Sequence, residues 1–415
     1  MKRIEISLEQ NKMREFNWGI FIPALILSIL GILFIYSASK GAGNTAFLLR
    51  QSIAFGIGLF MMIITIYLPK RFFETYWFIF YIFSIILLAA VLVFGQVVYG
   101  TKGWLKFGSL SFQPAEFAKF GLILALAGFI SRKGISISNI RDLFYSAILV
   151  IVPFVLIWMQ PDHGTASVLL VLYLGFLFWV GFNSFFIYVI LSIPLLVLFS
   201  FKGFWFYIIA LVIFSLLTLF FRKKLIFTLI VIGLYISIGF ITPLIYNQLQ
   251  SHQKSRIDSF VNPTLDPLGT GYNVLQSTMA VGSGGLFGKG LFQGSQTQLR
   301  YIPMQWTDFI FSVPTEEWGF LGGVGVILIY MFLILKIIEV ANLTDNKFNS
   351  IVCFGIAIIF IYHISINIGM VIGLTPVMGL PLPFMSYGGT ALIINLIFIG
   401  FVLHTHRTYV LKHNE

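Results

Sequence analysis

Long apolar stretches recur along this chain and constrain its fold more than any other feature. Each runs for about 17–25 residues, which is enough for a helix to cross the hydrocarbon core of a membrane. None alternates polar and apolar residues in the way that barrel strands do. Twelve are predicted, at residues 18–37, 49–69, 73–95, 114–131, 142–159, 164–181, 185–201, 204–221, 225–244, 316–338, 349–372 and 386–404. With 58% hydrophobic and 10% charged residues, the sequence predicts an all-α polytopic membrane protein with a single membrane domain at 1–415.

Basic residues predict the orientation of these helices. Sixteen of the 26 Lys and Arg residues would fall on the side of the N-terminus and nine on the other side. Because positive charge is retained in the cytoplasm, both termini are predicted to be cytoplasmic and the long polar loop at 245–315 to be extracytoplasmic. The net charge of +11 is explained by this bias and by anionic lipid, so it gives no reason to expect a nucleic-acid partner.

Asp308 is the acidic residue that most strongly indicates chemistry. It lies near the end of the long loop, directly before the apolar residues 309–311, and is therefore predicted to lie where water meets lipid. Burying an ionisable group there is costly, which favours a functional role; a helix N-cap is the structural alternative. Glu316 and Glu317 are expected in the first turn of the next helix, where the helix dipole would stabilise them.

Other polar residues are predicted on the same side of the membrane. Trp104 and Lys106 lie in a short loop, where an aromatic ring beside positive charge suits an amphipathic ligand at the interface. Glu116 and Lys119 are spaced i,i+3, so an internal ion pair in a well-started helix is the alternative to ligand binding. Asp162 is a plausible N-cap for the helix that follows it.

The long loop contains a glycine-rich run at 282–290. Its spacing does not fit a phosphate-binding loop, because Ser283 stands six positions before Lys289 and a glycine follows Lys289. The glycines are expected to permit tight turns around a short amphipathic segment at 272–281. Four basic residues offer positive charge for a phosphate or form a solvated face: Lys254, Arg256, Lys289 and Arg300.

The segment at 373–390 combines three prolines and several glycines with apolar surroundings, and it contains Pro383, Ser386 and Tyr387. Irregular backbone at membrane depth is tolerated only where protein or a cavity satisfies its polar groups. The composition therefore favours the wall of a cavity over a simple connecting loop.

Six ordered motifs resemble the SEDS family (shape, elongation, division and sporulation) of bacterial cell-wall polymerases. They lie at 113–119, 160–165, 266–269, 307–313, 316–319 and 381–389. The run at 294–299 is most similar to the elongation member, RodA. The chain departs from the family at 303–306, where the family's Pro-Glu-x-His reads Pro-Met-Gln-Trp, and residues 185–221 look like two helices added to the family's ten.

The resemblance implies a peptidoglycan glycosyltransferase that polymerises lipid II at the outer face of the bacterial cytoplasmic membrane, with inverting hexosyl transfer, for cell elongation and shape. Asp308 is the candidate base. Candidate substrate-binding residues are Trp104, Lys106, Glu116, Lys119, Asp162, Arg256, Glu317, Pro383, Ser386 and Tyr387. A divalent cation, magnesium or manganese, is an alternative source of charge for the pyrophosphate, and a class B penicillin-binding transpeptidase is the implied partner. A lipid II flippase or transporter and a non-catalytic membrane scaffold are the alternatives.

Overall fold

The computed structural model describes residues 16–40, 46–98, 101–108, 110–221, 223–248, 254, 257–258, 260–263, 271–303 and 305–414. Candidate Arg256 and the motif at 266–269 lie outside the described residues. The helices in these ranges are α1 (Trp18–Lys40), α2 (Ala46–Tyr67), α3 (Phe72–Phe94), α4 (Pro114–Ile130), α5 (Ile140–Trp158), α6 (His163–Trp179), α7 (Ser184–Lys202), α8 (Phe204–Phe220), α9 (Leu225–Gln248), α10 (Tyr272–Ser283), α11 (Ser295–Gln298), α12 (Ser312–Glu317), α13 (Gly319–Leu343), α14 (Lys347–Val371) and α15 (Gly389–Asn414).

A helix lies at each of the twelve predicted apolar stretches, which confirms the all-α class. Within the described ranges, nine helices are long and apolar enough to cross a membrane. The helices at the other three stretches, α4, α6 and α8, have 17 residues each. The count of twelve crossings therefore stays a prediction.

A small antiparallel sheet, which the sequence analysis did not predict, connects α3 to α4. Its strands are β1 (Gln96–Val98), β2 (Thr101–Phe107) and β3 (Leu110–Phe112), in the order β1-β2-β3. Along β2, the buried Gly103 and Leu105 alternate with the more exposed Trp104 and Lys106, as expected of a strand with one covered face. Trp104 and Lys106 therefore lie on the same face of the sheet.

The chain divides into two compact units. Unit 1 comprises Met1–Phe176, Gln276–Leu374 and Met378–Glu415, and unit 2 comprises Leu177–Leu275 and Thr375–Val377. In unit 2, α7, α8 and α9 pack around a core that includes Tyr207 and Tyr235. The Tyr207 hydroxyl donates to the Tyr235 carbonyl at 2.8 Å. The proposed extra pair at 185–221 corresponds to α7 and α8, and its status as an addition stays a prediction.

The core of unit 1 contains α4, whose side chains are buried at 15 of 17 positions. Pro114 stands in the first turn of α4, where its missing N–H costs nothing. Glycines allow α15 to pack closely along α2. A Cβ on Gly400 would lie 2.8 Å from the Met62 carbonyl oxygen, and one on Gly58 would lie 2.5 Å from the Leu396 side chain. Small residues at such contacts are typical of membrane helices.

The glycine-rich run pairs through its backbone with the junction of α12 and α13. Lys289 N donates to Glu316 O at 3.1 Å, and Gly290 N donates to Glu317 O at 3.0 Å. Gly288 has φ +82°, and a Cβ there would lie 2.1 Å from Glu317 O. The glycines therefore permit a close backbone approach as well as turns. The amphipathic segment predicted at 272–281 forms α10.

Replacing Gly288 with alanine is expected to lower the thermal unfolding midpoint in detergent, because the added Cβ meets a backbone oxygen and the backbone is left-handed there. We expect a loss of about 1–3 kcal/mol in the free energy of unfolding. Gly282→Ala is the matched control, since no atom lies within 4 Å of its Cβ position. Equal midpoints for the two variants would contradict the close contact.

Candidate active site

Asp308 lies in the irregular segment 305–311, just before α12. It is not an N-cap, because α12 begins at Ser312 and its N-cap position is Phe311. Asn367 Nδ2 donates to the backbone carbonyl of Asp308 at 2.9 Å. Among the described residues, no side chain or backbone N–H donates to the Asp308 carboxylate, which is half-buried. The carboxylate is therefore free to contact a ligand.

Asn367 joins Asp308 to the proline-rich segment at 373–390. Its Nδ2 also donates to Leu380 O at 2.8 Å, so a single side chain of α14 holds two irregular stretches of backbone. Gly379 is next to Leu380, and a Cβ at Gly379 would lie 3.7 Å from Asp308 Oδ2. The carboxylate therefore lies against the backbone of this segment.

Ser386 and Tyr387 hold the residues just before Asp308. Ser386 Oγ donates to Thr307 O at 2.6 Å, and Tyr387 N donates to Trp306 O at 2.8 Å. The Trp306 ring stacks on Phe47 with 4.8 Å between centroids, and Tyr387 meets Phe47 edge to face. Both residues were predicted to bind substrate, and the structure shows them supporting the backbone beside the candidate base.

Asp162 lies close enough to Asp308 to affect its charge. Burial, and then the negative charge of Asp162, raise the pKa of Asp308 to about 6. Asp162 caps α6 as predicted, because it accepts from Thr165 N at 3.0 Å and from Thr165 Oγ1 at 2.8 Å. Gln113 Nε2, at the start of α4, donates to the same carboxylate at 3.4 Å.

A buried chain of polar contacts runs from Glu116 through Lys119 and His363 to the backbone of Pro381. Lys119 Nζ is 2.8 Å from Glu116, which confirms the predicted pair, and 3.2 Å from His363 Nε2. His363 Nδ1 lies 3.0 Å from Pro381 O. Because a carbonyl only accepts, Nδ1 carries the hydrogen and Nε2 accepts from Lys119. Glu116 and Lys119 are both about 2% exposed, so their charges are directed at protein groups in this structure.

The sheet that carries Trp104 and Lys106 is attached to the same end of unit 1. Lys102 N donates to Gln160 O at 3.2 Å, two residues before Asp162. Trp104 is half-buried and Lys106 is exposed. Lys106 is thus an accessible cation among the predicted binding residues.

The prediction for Glu316 and Glu317 was wrong in its local structure. They end α12 instead of starting the long helix. The chain breaks at Trp318, and α13 begins at Gly319, whose φ is +68°. A helix C-terminus disfavours negative charge, so other groups must stabilise these carboxylates. Lys289 Nζ lies 2.8 Å from the Glu316 carboxylate, and the backbone N–H of Gln296 donates to the same carboxylate at 2.8 Å.

The pKa values of Glu316 and Glu317 are shifted in opposite directions. Burial alone would raise the pKa of Glu316, but hydrogen bonds from Lys289 and Thr297 outweigh it and hold that pKa below the usual range. Burial raises the pKa of Glu317. Glu317 accepts from the hydroxyl of Ser37 and from Gln298 Nε2. Its side chain has no exposed surface, and its assignment to substrate binding stays a prediction.

Pro383 is also buried, and its carbonyl accepts from the hydroxyl of Tyr330. The irregular segment predicted to line a cavity therefore has several of its polar groups satisfied by protein. Sequence reasoning missed His363 and Asn367, which hold this segment. Their i,i+4 spacing in a mostly apolar helix was the available signal, since polar groups within a span are rarely without a role.

The model of the family described as "Cell cycle protein", FTSW_RODA_SPOVE, matches residues 17–208 and 204–410. The chain belongs to the FtsW/RodA/SpoVE family. This confirms the resemblance derived from the six motifs. Within the family, the chain is 32% identical to peptidoglycan glycosyltransferase MrdB of Escherichia coli (strain K12) over 396 residues, covering 94% of this chain and 95% of MrdB. It is 32% identical to peptidoglycan glycosyltransferase RodA of Treponema pallidum over 422 residues, covering 94% of this chain and 97% of that RodA.

A solved structure supports the same family fold. A chain of a peptidoglycan synthase complex, described as coordinating polymerization and crosslinking, superposes with a TM-score of 0.72 and 30% sequence identity. The match covers 95% of this chain and 98% of that one. The fold of this FtsW/RodA/SpoVE protein is therefore shared with a synthase component over nearly its whole length.

Proposed function

We propose that this chain is a peptidoglycan glycosyltransferase that polymerises lipid II into glycan strands at the outer face of the cytoplasmic membrane. The observation that carries the proposal is the half-buried Asp308 carboxylate, which accepts no hydrogen bond from any residue that the structure describes. Membership of the family and the names of its relatives support the reaction class.

Asp308 acts as the general base. It takes the proton from the 4-hydroxyl of the incoming lipid II as that oxygen bonds to the anomeric carbon of the donor sugar. The bond from that carbon to undecaprenyl pyrophosphate breaks with its electron pair, which inverts the configuration. A positioned base contributes about 10²–10⁴-fold, and its pKa is best placed near the working pH. The raised pKa of Asp308 suits this role.

The leaving pyrophosphate requires positive charge. Lys106 is exposed on the sheet, whereas Lys119 is already paired with Glu116. Mg²⁺ usually binds one or two carboxylates together with substrate phosphates, so the carboxylate of Asp308, with Asp162 as its charged neighbour, would be the group to hold such an ion. Within the described ranges, no three His, Cys, Asp or Glu residues form a metal cluster. A bound cation would supply charge stabilisation for the pyrophosphate.

The chain is a multi-pass membrane protein. Its orientation, with both termini in the cytoplasm, rests on the distribution of basic residues. The partner is a class B penicillin-binding transpeptidase. The similarity to a synthase complex that coordinates polymerization with crosslinking supports this partner.

The polymerisation rate is expected to fall as the pH drops through about 6, the raised pKa of Asp308. Above that value the carboxylate is ionised and can accept a proton; below it the carboxylate is protonated and cannot. The measurement is the initial rate with lipid II between pH 5 and 8. A rate that halves only near pH 4, the ordinary range of an aspartate, would contradict the assigned environment.

A lipid II transporter is the second candidate, because Glu116 and Lys119 form a buried ion pair within the apolar helix α4. Ionisable groups within membrane helices often mark a substrate pathway. The test gives purified protein lipid II in detergent and, separately, in vesicles, with the transpeptidase partner added. Glycan polymer on a gel supports the transferase. Translocation in vesicles without any polymer would support the transporter instead.

A further inference from the structure

The short helix α11 contacts Gln305, which begins the segment 305–311 that carries Asp308, and Glu316 in α12, which follows that segment. On the C-terminal side, Thr297 donates to Glu316 Oε2 through its backbone N at 2.9 Å and its hydroxyl at 2.6 Å. On the N-terminal side, Gln305 Nε2 donates to Thr297 O at 2.9 Å. One threonine therefore joins two residues that flank Asp308.

Helix α11 and Gln305 are both attached to the last turn of α1. Gln298 Nε2, in α11, donates to Ser37 O at 3.2 Å, and Gln305 Nε2 donates to Ala38 O at 2.7 Å. These carbonyls belong to the end of a helix, where no intrahelical partner is available. Hydrogen bonds therefore connect the residues on both sides of Asp308 to a long helix of unit 1.

The three residues of this connection are fully buried: Thr297, Gln305 and Glu316 each have 0% exposure. Glu316 also accepts from Lys289 and from Gln296 N, so its carboxylate is a fixed acceptor for the Thr297 hydroxyl. A buried, charge-assisted hydrogen bond of this kind is strong and directional. Together with the bond from Thr297 N, it ties the backbone of α11 to the side chain of Glu316.

The side chain of Asp308 accepts no donor among the described residues, so its location depends on its backbone. Asn367 holds the backbone of Asp308 itself, and Thr297 contacts Gln305 before it and Glu316 after it. We infer that Thr297 is a positioning residue, which sets the location of the Asp308 carboxylate by fixing the flanks of its segment. This inference rests on the proposed function, in which Asp308 is the base.

The test is Thr297→Val, which removes the hydroxyl and keeps the size and the backbone hydrogen bonds. We expect kcat for polymerisation to fall by about 10- to 100-fold, the effect of misplacing a catalytic group by about 1 Å. KM for lipid II should change by less than about twofold, since no binding group is removed. Thr297→Ser retains the hydroxyl and is expected to restore kcat to within about twofold of wild type.

Two further variants keep the test decisive. Thr65→Val is the matched control, because the Thr65 hydroxyl is buried but donates within its own helix, to Met61 O at 2.8 Å; its kcat should be unchanged. Gln305→Met removes the hydrogen bonds from Gln305 to Thr297 O and Ala38 O, on the N-terminal side of Asp308, and is expected to lower kcat in the same way. It replaces Thr297→Val if that variant does not fold.

The outcomes separate the inference from the proposed function. Wild-type kcat in folded Thr297→Val, or in Gln305→Met where the valine variant is unfolded, would overturn the positioning role, even if Asp308→Asn is inactive. A kcat loss in Thr297→Val that Thr297→Ser does not reverse would also overturn it. Normal polymerisation by Asp308→Asn would instead remove the base and, with it, the proposed mechanism.

Discussion

Asp308→Asn is expected to lower the initial rate of glycan polymerisation by about 10²–10⁴-fold, the usual contribution of a general base. Asparagine matches aspartate in size and leaves the backbone bond from Asn367 intact. Its amide does not accept the proton of a sugar hydroxyl. The measurement is polymer formed from lipid II on a gel, with equal amounts of folded protein.

The matched control for this substitution is Asp345→Asn. Asp345 is an exposed acid that pairs with Lys412 at 2.8 Å, and exposed pairs contribute little. Its rate should stay within about twofold of wild type. A folded Asp308→Asn that polymerises as fast as Asp345→Asn would remove Asp308 from the catalytic role.

Lys119→Met is expected to destabilise the protein by about 3–5 kcal/mol, the usual cost of removing one partner of a buried ion pair. The substitution leaves the buried carboxylate of Glu116 without its cation and His363 Nε2 without its donor. The measurement is the free energy of unfolding in detergent. Neutralising both partners, in Glu116→Gln with Lys119→Met, is expected to recover most of the loss.

Lys336→Met provides the comparison for this prediction. Lys336 and Glu339 have the same i,i+3 spacing, but their side chains are 33% and 49% exposed. We expect this variant to lose at most about 1 kcal/mol. If Lys119→Met proved as stable as Lys336→Met, the buried contacts of Lys119 with Glu116 and His363 would not contribute to the free energy of unfolding.

Local features of the sequence predicted much of the fold and part of the site. Apolar length located each long helix, and the i,i+3 spacing predicted the contact between Glu116 and Lys119. Asp162 was placed correctly as a cap because capping involves only the next few residues. The amphipathic pattern at 272–281 likewise depends on neighbours in sequence.

Contacts between distant residues were not predicted. Glu316 was expected to benefit from a helix N-terminus, but its partners, Lys289 and Thr297, come from a separate part of the loop. His363 reaches Lys119 from a position 244 residues along the chain. No local pattern specifies such pairs. The sheet at 96–112 was missed because its strands are short and lie between two strongly apolar helices.

The polymerisation rate of Asp308→Ala, measured with and without added formate, tests most directly whether a carboxylate is needed at this position. Alanine leaves space beside Gly379, where the Asp308 oxygen lies in the wild type, and a small carboxylate can occupy that space. We predict no detectable polymer without formate and a rate that rises with formate concentration, whereas Asp345→Ala does not respond. Polymer formed by Asp308→Ala at the wild-type rate without formate would contradict the account.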